Sequence, residues 1–195
     1  MPVRIVPITC PNCQQPITGK EMDNVFYCPV CKTMHVREPD GPKVVVYEIA
    51  AIRTQPQGQP IYVPFWKMPT IVNIYHESVE GGFFLDLVHN TPKGGAIVLY
   101  LPAVEWDVNV YKYWAETLTK QQITYALAED FGGVPRMPVN ILRDEAGRLA
   151  DFLVLTFEAE RPGVMQSISY DLQIQSLILV YIPFAQVGSQ FVCLI

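Results

Sequence analysis

Two Cys-Pro-x-Cys pairs, Cys10-Pro11-Asn12-Cys13 and Cys28-Pro29-Val30-Cys31, carry the most definite chemistry in this sequence. Fourteen residues lie between them, room for two short strands and a turn. That spacing brings four thiolates around one tetrahedral zinc ion. In each pair the backbone amides of the turn can hydrogen-bond to thiolate sulfur and ease its buried charge. With Cys10, Cys13, Cys28 and Cys31 all bound, no position is left for water or substrate, so the expected Zn2+ is structural. A thioredoxin-like redox pair and an iron–sulfur cluster are the competing uses of such cysteines, and two matched pairs favour zinc.

The other candidates are weaker. His35 follows Cys31 by four residues and could replace a cysteine, but the four-cysteine set is complete, so His35 is expected on the surface. His76-Glu77 and His89-Asn90 border turns. Either histidine could serve as a catalytic base, and an ordinary loop residue is the simpler reading. Cys193 sits in Phe-Val-Cys-Leu-Ile and reads as a small buried hydrophobe. Residues 62–67 (Tyr-Val-Pro-Phe-Trp-Lys) could form an aromatic platform, against the simpler reading of a core strand with Trp66 at its rim. Trp106, Tyr111, Tyr113 and Trp114 cluster around Lys112 in an expected connecting segment. With Phe191, they are the candidate partner-binding residues. No Gly-x-Ser-x-Gly, Walker loop, dinucleotide fingerprint or His-Glu-x-x-His occurs.

The elements that must position these groups are mostly strands. Seventeen prolines spread along the chain imply many strand ends and turns. Val3 to Thr9 leads into the first cysteine pair, and Val25-Phe26-Tyr27 into the second. Glu38-Pro39-Asp40-Gly41-Pro42 reads as a stiff linker dividing residues 1–40 from 41–195. Beyond it, strands are expected over 43–53, 61–65, 71–75, 83–88, 96–101, 168–175, 177–182 and 190–195. Thr119-Lys120-Gln121-Gln122 has capping-box spacing and predicts a helix that follows it and ends at Gly132-Gly133. A second helix is predicted from Asp144, with Ala146, Leu149, Ala150, Leu153, Val154 and Phe157 on one face. There is also an internal echo. Tyr47-Glu48-Ile49 precedes Ile61-Tyr62-Val63-Pro64-Phe65, Tyr170-Asp171-Leu172 precedes Val180-Tyr181-Ile182-Pro183-Phe184, and Leu99-Tyr100-Leu101-Pro102-Ala103 is a partial third copy. Duplication of a β-rich unit explains it, and so does chance in a chain rich in Tyr and Pro.

The chain has 195 residues, a net charge of −5 and 50% hydrophobic residues, the composition of a core-rich globular protein. Residues 1–40 balance four Lys/Arg against four Asp/Glu, so the acidic excess lies in 41–195. Neither part has the clustered basic residues that phosphate binding requires. The segment before Cys10 is too short for a secretory signal, and reduced thiolates suit a cytoplasmic location. Pro183, Gln186, Gly188, Ser189 and Gln190 interrupt the apolar stretch 174–195, which favours two core strands over a membrane span.

On the two knuckles and the aromatic strand Phe26-Tyr27, residues 1–40 resemble the zinc-ribbon superfamily. Such knuckles often carry Gly after the second Cys, where this chain has Gln14 and Lys32. The Tyr-x-Pro-Phe core of 41–195 is similar to that of uncharacterised bacterial zinc-ribbon proteins. The resemblance implies the metal and not an activity. The expectation is an α+β protein, a zinc ribbon followed by a mainly antiparallel β domain with one or two helices. Its expected role is a non-catalytic interaction or scaffold protein within a larger assembly, bound to a protein partner or to itself. The alternatives are a nucleic-acid-binding accessory protein, against which the acidic balance counts, and an enzyme with a pocket built from residues such as His76, Glu77, Asp86 and His89.

Overall fold

The computed structural model describes residues 5–20, 23–38, 40–77, 94–159, 168–188 and 190–195. It is a mixed α/β fold, mostly strand. β1 (Ile5–Thr9) and β2 (Pro16–Lys20) form an antiparallel hairpin. β3 (Val25–Cys28), β4 (Thr33–Glu38) and β5 (Gly41–Val45) form a three-stranded antiparallel sheet. The segment expected as a linker is therefore the turn of a hairpin. Glu38 pairs with Gly41 and Arg37 with Pro42. Gly41 takes φ +120°, which favours glycine. Lys43 closes the turn with ion pairs to Glu38 at 2.6 Å and Asp40 at 3.1 Å. The strand expected over 43–53 accordingly splits, into β5 and β6 (Tyr47–Ile49), which joins another sheet.

That larger sheet runs β11-β10-β7-β8, with β6 beside β10 and β9 beside β7. Its strands are β7 (Pro60–Glu77), β8 (Gly94–Pro102), β9 (Ile168–Ile174), β10 (Ile178–Val187) and β11 (Gln190–Cys193). The two strands expected over 61–65 and 71–75 are one. Pro69 does not stop the strand, because it lacks only a donor and its carbonyl still accepts from the Gln175 amide at 2.8 Å. Trp66, Met68, Thr70 and Val72 alternate onto one buried face through this stretch. The strand expected over 83–88 lies outside the described residues.

Both faces of the sheet are covered, which is why its strands are apolar at nearly every position. One face carries Val63, Phe65, Tyr100, Val180, Ile182 and Phe184 under α1 (Val108–Gln121), which contributes Trp114 and Leu118. The other carries Tyr62, Trp66, Leu99, Leu101, Leu179 and Tyr181. Ala146 and Ala150 of α2 (Arg143–Ala159) pack there, together with Val25, Met34 and Val45 from the N-terminal sheet. The second helix therefore falls where its periodicity placed it. The first does not. α1 precedes Gln122, with Asp107 as its N-cap, accepting from the Asn109 amide at 2.9 Å. Thr119 lies in the last turn of α1, and its hydroxyl accepts from the Tyr100 amide at 3.0 Å. Gln122, at φ 44°, ends the helix and bonds both the Val98 amide and carbonyl at 3.0 Å. These side chains cap the outer edge of β8 at Val98 and Tyr100, where another strand would otherwise pair.

The two full copies of the Tyr-x-Pro echo are direct antiparallel partners. Ile61 faces Phe184, Tyr62 faces Pro183, Val63 faces Ile182, Pro64 faces Tyr181 and Phe65 faces Val180. A local two-fold axis thus passes through the Val63–Ile182 pair. The hydrogen bonds around it repeat. Pro64 and Pro183 accept from the amides of Ala103 and Leu194. Lacking donors of their own, the two prolines leave those residues' carbonyls to other segments. Ala103 O accepts from Asn140 N and Ile141 N, and Leu194 O from Arg53 N and Thr54 N. The carbonyls of Tyr62 and Tyr181 accept in turn from Met137 and Ala50. Phe131 fills the space between the two tyrosine rings, with centroids at 5.3 and 5.0 Å.

Candidate metal centre

The cysteine unit forms where the two N-terminal hairpins meet. The turn after β1 holds Cys10 and Cys13: Gln14 N donates to Cys10 O at 2.9 Å and Cys10 N to Gln15 O at 2.8 Å. Gln14 and Lys32, each following the second cysteine of its pair, take φ 62° and 54°. Both knuckles therefore need the left-handed conformation that glycine would adopt most freely, and here ordinary side chains are forced into it at about 1 kcal/mol each.

The four sulfurs lie within 4.8 Å of one another, with Cys10–Cys31 at 3.7 Å and Cys13–Cys28 at 3.6 Å. No disulfide links them. Cys10 and Cys28 are fully buried in a small apolar core with Ile17 and Phe26, while Cys13 and Cys31 are half-buried. The Thr33 hydroxyl at 3.1 Å stabilises the Cys31 thiolate first, and the Asn12 amide, which also donates to Thr33 at 3.2 Å, second. Together they bring the Cys31 thiol down to about 5. The Gln15 backbone favours the Cys13 thiolate, but desolvation and the other three sulfurs outweigh it and push that thiol up to about 12. Thiols this close cannot all ionise unaided, and a cation is what lets them do so.

His35 corrects the expectation of a surface residue. It is 1% exposed, and its Nε2 lies 3.4 Å from Cys10 Sγ. Among the described residues its buried Nδ1 has no hydrogen-bond partner, and the ring's Nε2 faces the sulfur. Strand parity explains the placement. Phe26 pairs with His35 and Cys28 with Thr33, so all four residues face the cysteine cluster. The intervening residues Tyr27 and Met34 face the main core. Nothing in the ligand spacing announces this; the β3–β4 register decides it.

A second group missed by sequence reasoning ties this unit to the main core. Asp23, 6% exposed, accepts from the amides of Val25 at 3.1 Å and Val139 at 3.4 Å. Its other oxygen pairs with Arg136 at 3.4 Å, and Arg136 also reaches Val25 O and the Tyr181 hydroxyl. A third group, Lys67, Glu48 and Tyr125, joins β6 and β7 to the segment after α1. Lys67 Nζ lies 3.0 Å from Glu48 Oε2, to which the Tyr125 hydroxyl donates at 2.5 Å. Burial, first, and that carboxylate, second, keep the phenol protonated.

The aromatic candidates divide. Trp114 packs on Phe184 at 4.7 Å, and Trp106 packs among Phe65, Phe184 and Phe191. Tyr111 has a buried hydroxyl, and Phe191 is half-buried. Only Tyr113, 60% exposed and edge-on to Trp114, projects into solvent. Residues 106–114 are thus the entry to α1 and α1 itself, built around core aromatics. Trp66 is likewise buried and not at a rim. Cys193 is half-buried, with burial pushing its thiol up. His76 and Glu77 end β7, and Asp86 and His89 lie outside the described residues, as do the side chains of His76 and Glu77. Among the described residues, no helix is long and apolar enough to cross a membrane. No protein-family model matches the chain, and no curated protein or solved structure is significantly similar to it.

Proposed function

We propose that Cys10, Cys13, Cys28 and Cys31 hold one structural zinc ion in a unit of the zinc-ribbon kind, and that the protein is a non-catalytic interaction module. The spacing of the sulfurs carries this reading. Four ligands at the usual Zn–S length of about 2.3 Å stand about 3.8 Å apart along each tetrahedral edge. Two of the separations, 3.7 and 3.6 Å, match that edge. Four thiolates fill a tetrahedral zinc and leave it no catalytic position. A hydrogen-bonded thiolate at Cys31 and a histidine against Cys10 suit a metal site that holds its ligands in place. The interaction role rests on the closed metal site together with an exposed, uncharged sheet edge at β11. Metal analysis of native protein tests the first part. One zinc per chain is expected, with loss in Cys28→Ser. Iron in its place, or no metal in a fully folded cysteine unit, refutes it. Recovery of the intact protein from native lysate tests the second: co-purification with a protein partner or a second copy is expected.

A further inference from the structure

The local two-fold axis relates the hairpin β7–β8 to the hairpin β10–β11. Phe65 faces Pro102 in the first, and Phe184 faces Cys193 in the second. Tyr100 therefore corresponds to Phe191, Leu101 to Val192 and Pro102 to Cys193. The outer edges of β8 and β11 can then be compared residue by residue. On β8 the fold satisfies the amides of that edge over residues 98–102. The Tyr100 amide donates to Thr119, Gln122 bonds both polar groups of Val98, and Pro102 has no amide to satisfy. On β11 the corresponding groups belong to Phe191 and Cys193. Val192 pairs inward with Ala185, so these two residues point their amides and carbonyls away from β10. Among the described residues, no backbone partner meets them there. Among the described residues, the helix that caps one edge has no counterpart on the other.

We propose that β11 pairs with β11 of a second copy of this chain. The strand is complementary to itself. A two-fold axis at Val192 sets Phe191 opposite Cys193 of the second copy, and Cys193 opposite its Phe191. All four outward-facing residues then exchange main-chain hydrogen bonds. Val192, 45% exposed, meets Val192 of the second copy at the closely spaced position between them. Residues 190–193 carry no charge, so the paired strands set no like charges opposite each other. There is room on both faces. A groove of about 490 Å³ separates α1 from β11 on the Phe191 side, lined by Val110, Tyr113 and Trp114. A smaller one of about 190 Å³ lies beside Val187 and Val192. The chain already makes a contact of this kind internally, where β7 and β10 meet about Val63 and Ile182. This proposal names a partner for the interaction role above and rests on that reading. A protein that keeps its zinc and stays monomeric refutes this proposal alone.

The test is sedimentation equilibrium of the full zinc-loaded chain and of Cys193→Pro, which gives β11 the residue found at the matching position of β8. A proline whose missing donor faces outward is tolerated on an edge strand, so the variant should keep its metal and melting temperature. The expected result is a dimer for the parent chain and a dimerisation constant weakened at least about tenfold in the variant. Val192→Lys, which sets like charges across the axis, should do the same without touching the core. Val192→Cys in a Cys193→Ser background should crosslink through residue 192 under mild oxidation. Directly opposed residues at such positions stand about 4.5 Å apart at Cα, within disulfide reach. A parent chain that is monomeric at every concentration, or a dimer that survives Cys193→Pro and Val192→Lys and does not crosslink at 192, overturns the proposal.

Discussion

Replacing Asp23 with alanine should destabilise the whole protein, not only the cysteine unit. The Asp23 side chain is 9% exposed and satisfies two backbone amides and one guanidinium at the junction between the N-terminal strands and the main core. Orphaning the amides of Val25 and Val139 costs about 1 kcal/mol each, and stranding the partly buried Arg136 charge about 2 more. The sum is about 4 kcal/mol, a large part of the stability of an ordinary domain. Asp23→Asn keeps the oxygen that serves the amides and should cost only the charge component, about 2 kcal/mol. A cycle of Asp23→Asn, Arg136→Met and the double variant should give a coupling energy of about 2 kcal/mol. The assay is urea unfolding of zinc-loaded protein, followed by tryptophan fluorescence for the main core and by a chromogenic chelator for metal release. Val25 and Met34 are part of the main core, so the two signals should change together. A cost below about 1 kcal/mol for Asp23→Ala, or metal release well before the core unfolds, would refute the reasoning.

Other consequences follow from the same geometry. At neutral pH the metal must displace the proton that Cys13 holds up to about 12, whereas Cys31, at about 5, is already ionised. Zinc affinity should therefore rise by at least about tenfold per pH unit, Cys13 alone supplying one displaced proton, and fall more steeply below about pH 5, where Cys31 also competes; a pH-independent affinity in chelator competition would contradict this. His35→Phe removes the hydrogen-bonding ring beside Cys10 and keeps the volume, so zinc should bind about 10- to 100-fold more weakly while the stoichiometry holds. Thr119→Val orphans the buried Tyr100 amide and should cost about 1–3 kcal/mol in thermal unfolding, against less than about 1 kcal/mol for a half-buried threonine of the same helix, Thr117. Neither duplex nor single-stranded oligonucleotides should bind usefully at physiological salt, and submicromolar, salt-sensitive binding in fluorescence anisotropy would restore the nucleic-acid reading.

Part of this protein is written in local sequence. The four cysteines announce their cluster because two short turns position each pair without outside help. The strands from 168 onward and the helix from Asp144 are legible because alternation, helical periodicity and Gly/Pro punctuation are local signals. Thr119 and Gln122 show the opposite case. Their spacing matches a cap, yet they end a helix and serve the edge of β8, because the amides they satisfy belong to a strand about twenty residues earlier. Pro69 and the 38–42 segment were ambiguous for the same reason: whether a proline ends a strand, and whether a polar turn is a linker, depends on which neighbour accepts its hydrogen bonds. His35 is the sharpest instance. Its distance from Cys31 in the chain carries no information about burial; pairing with Phe26 turns it inward. The tyrosine–proline echo was visible in the sequence, but only the tertiary fold makes its copies partners across an axis. Only that axis reveals that one edge is capped and the other, among the described residues, is not. Sequence determined the groups and their local geometry, while strand register, a long-range property, decided which of them meet.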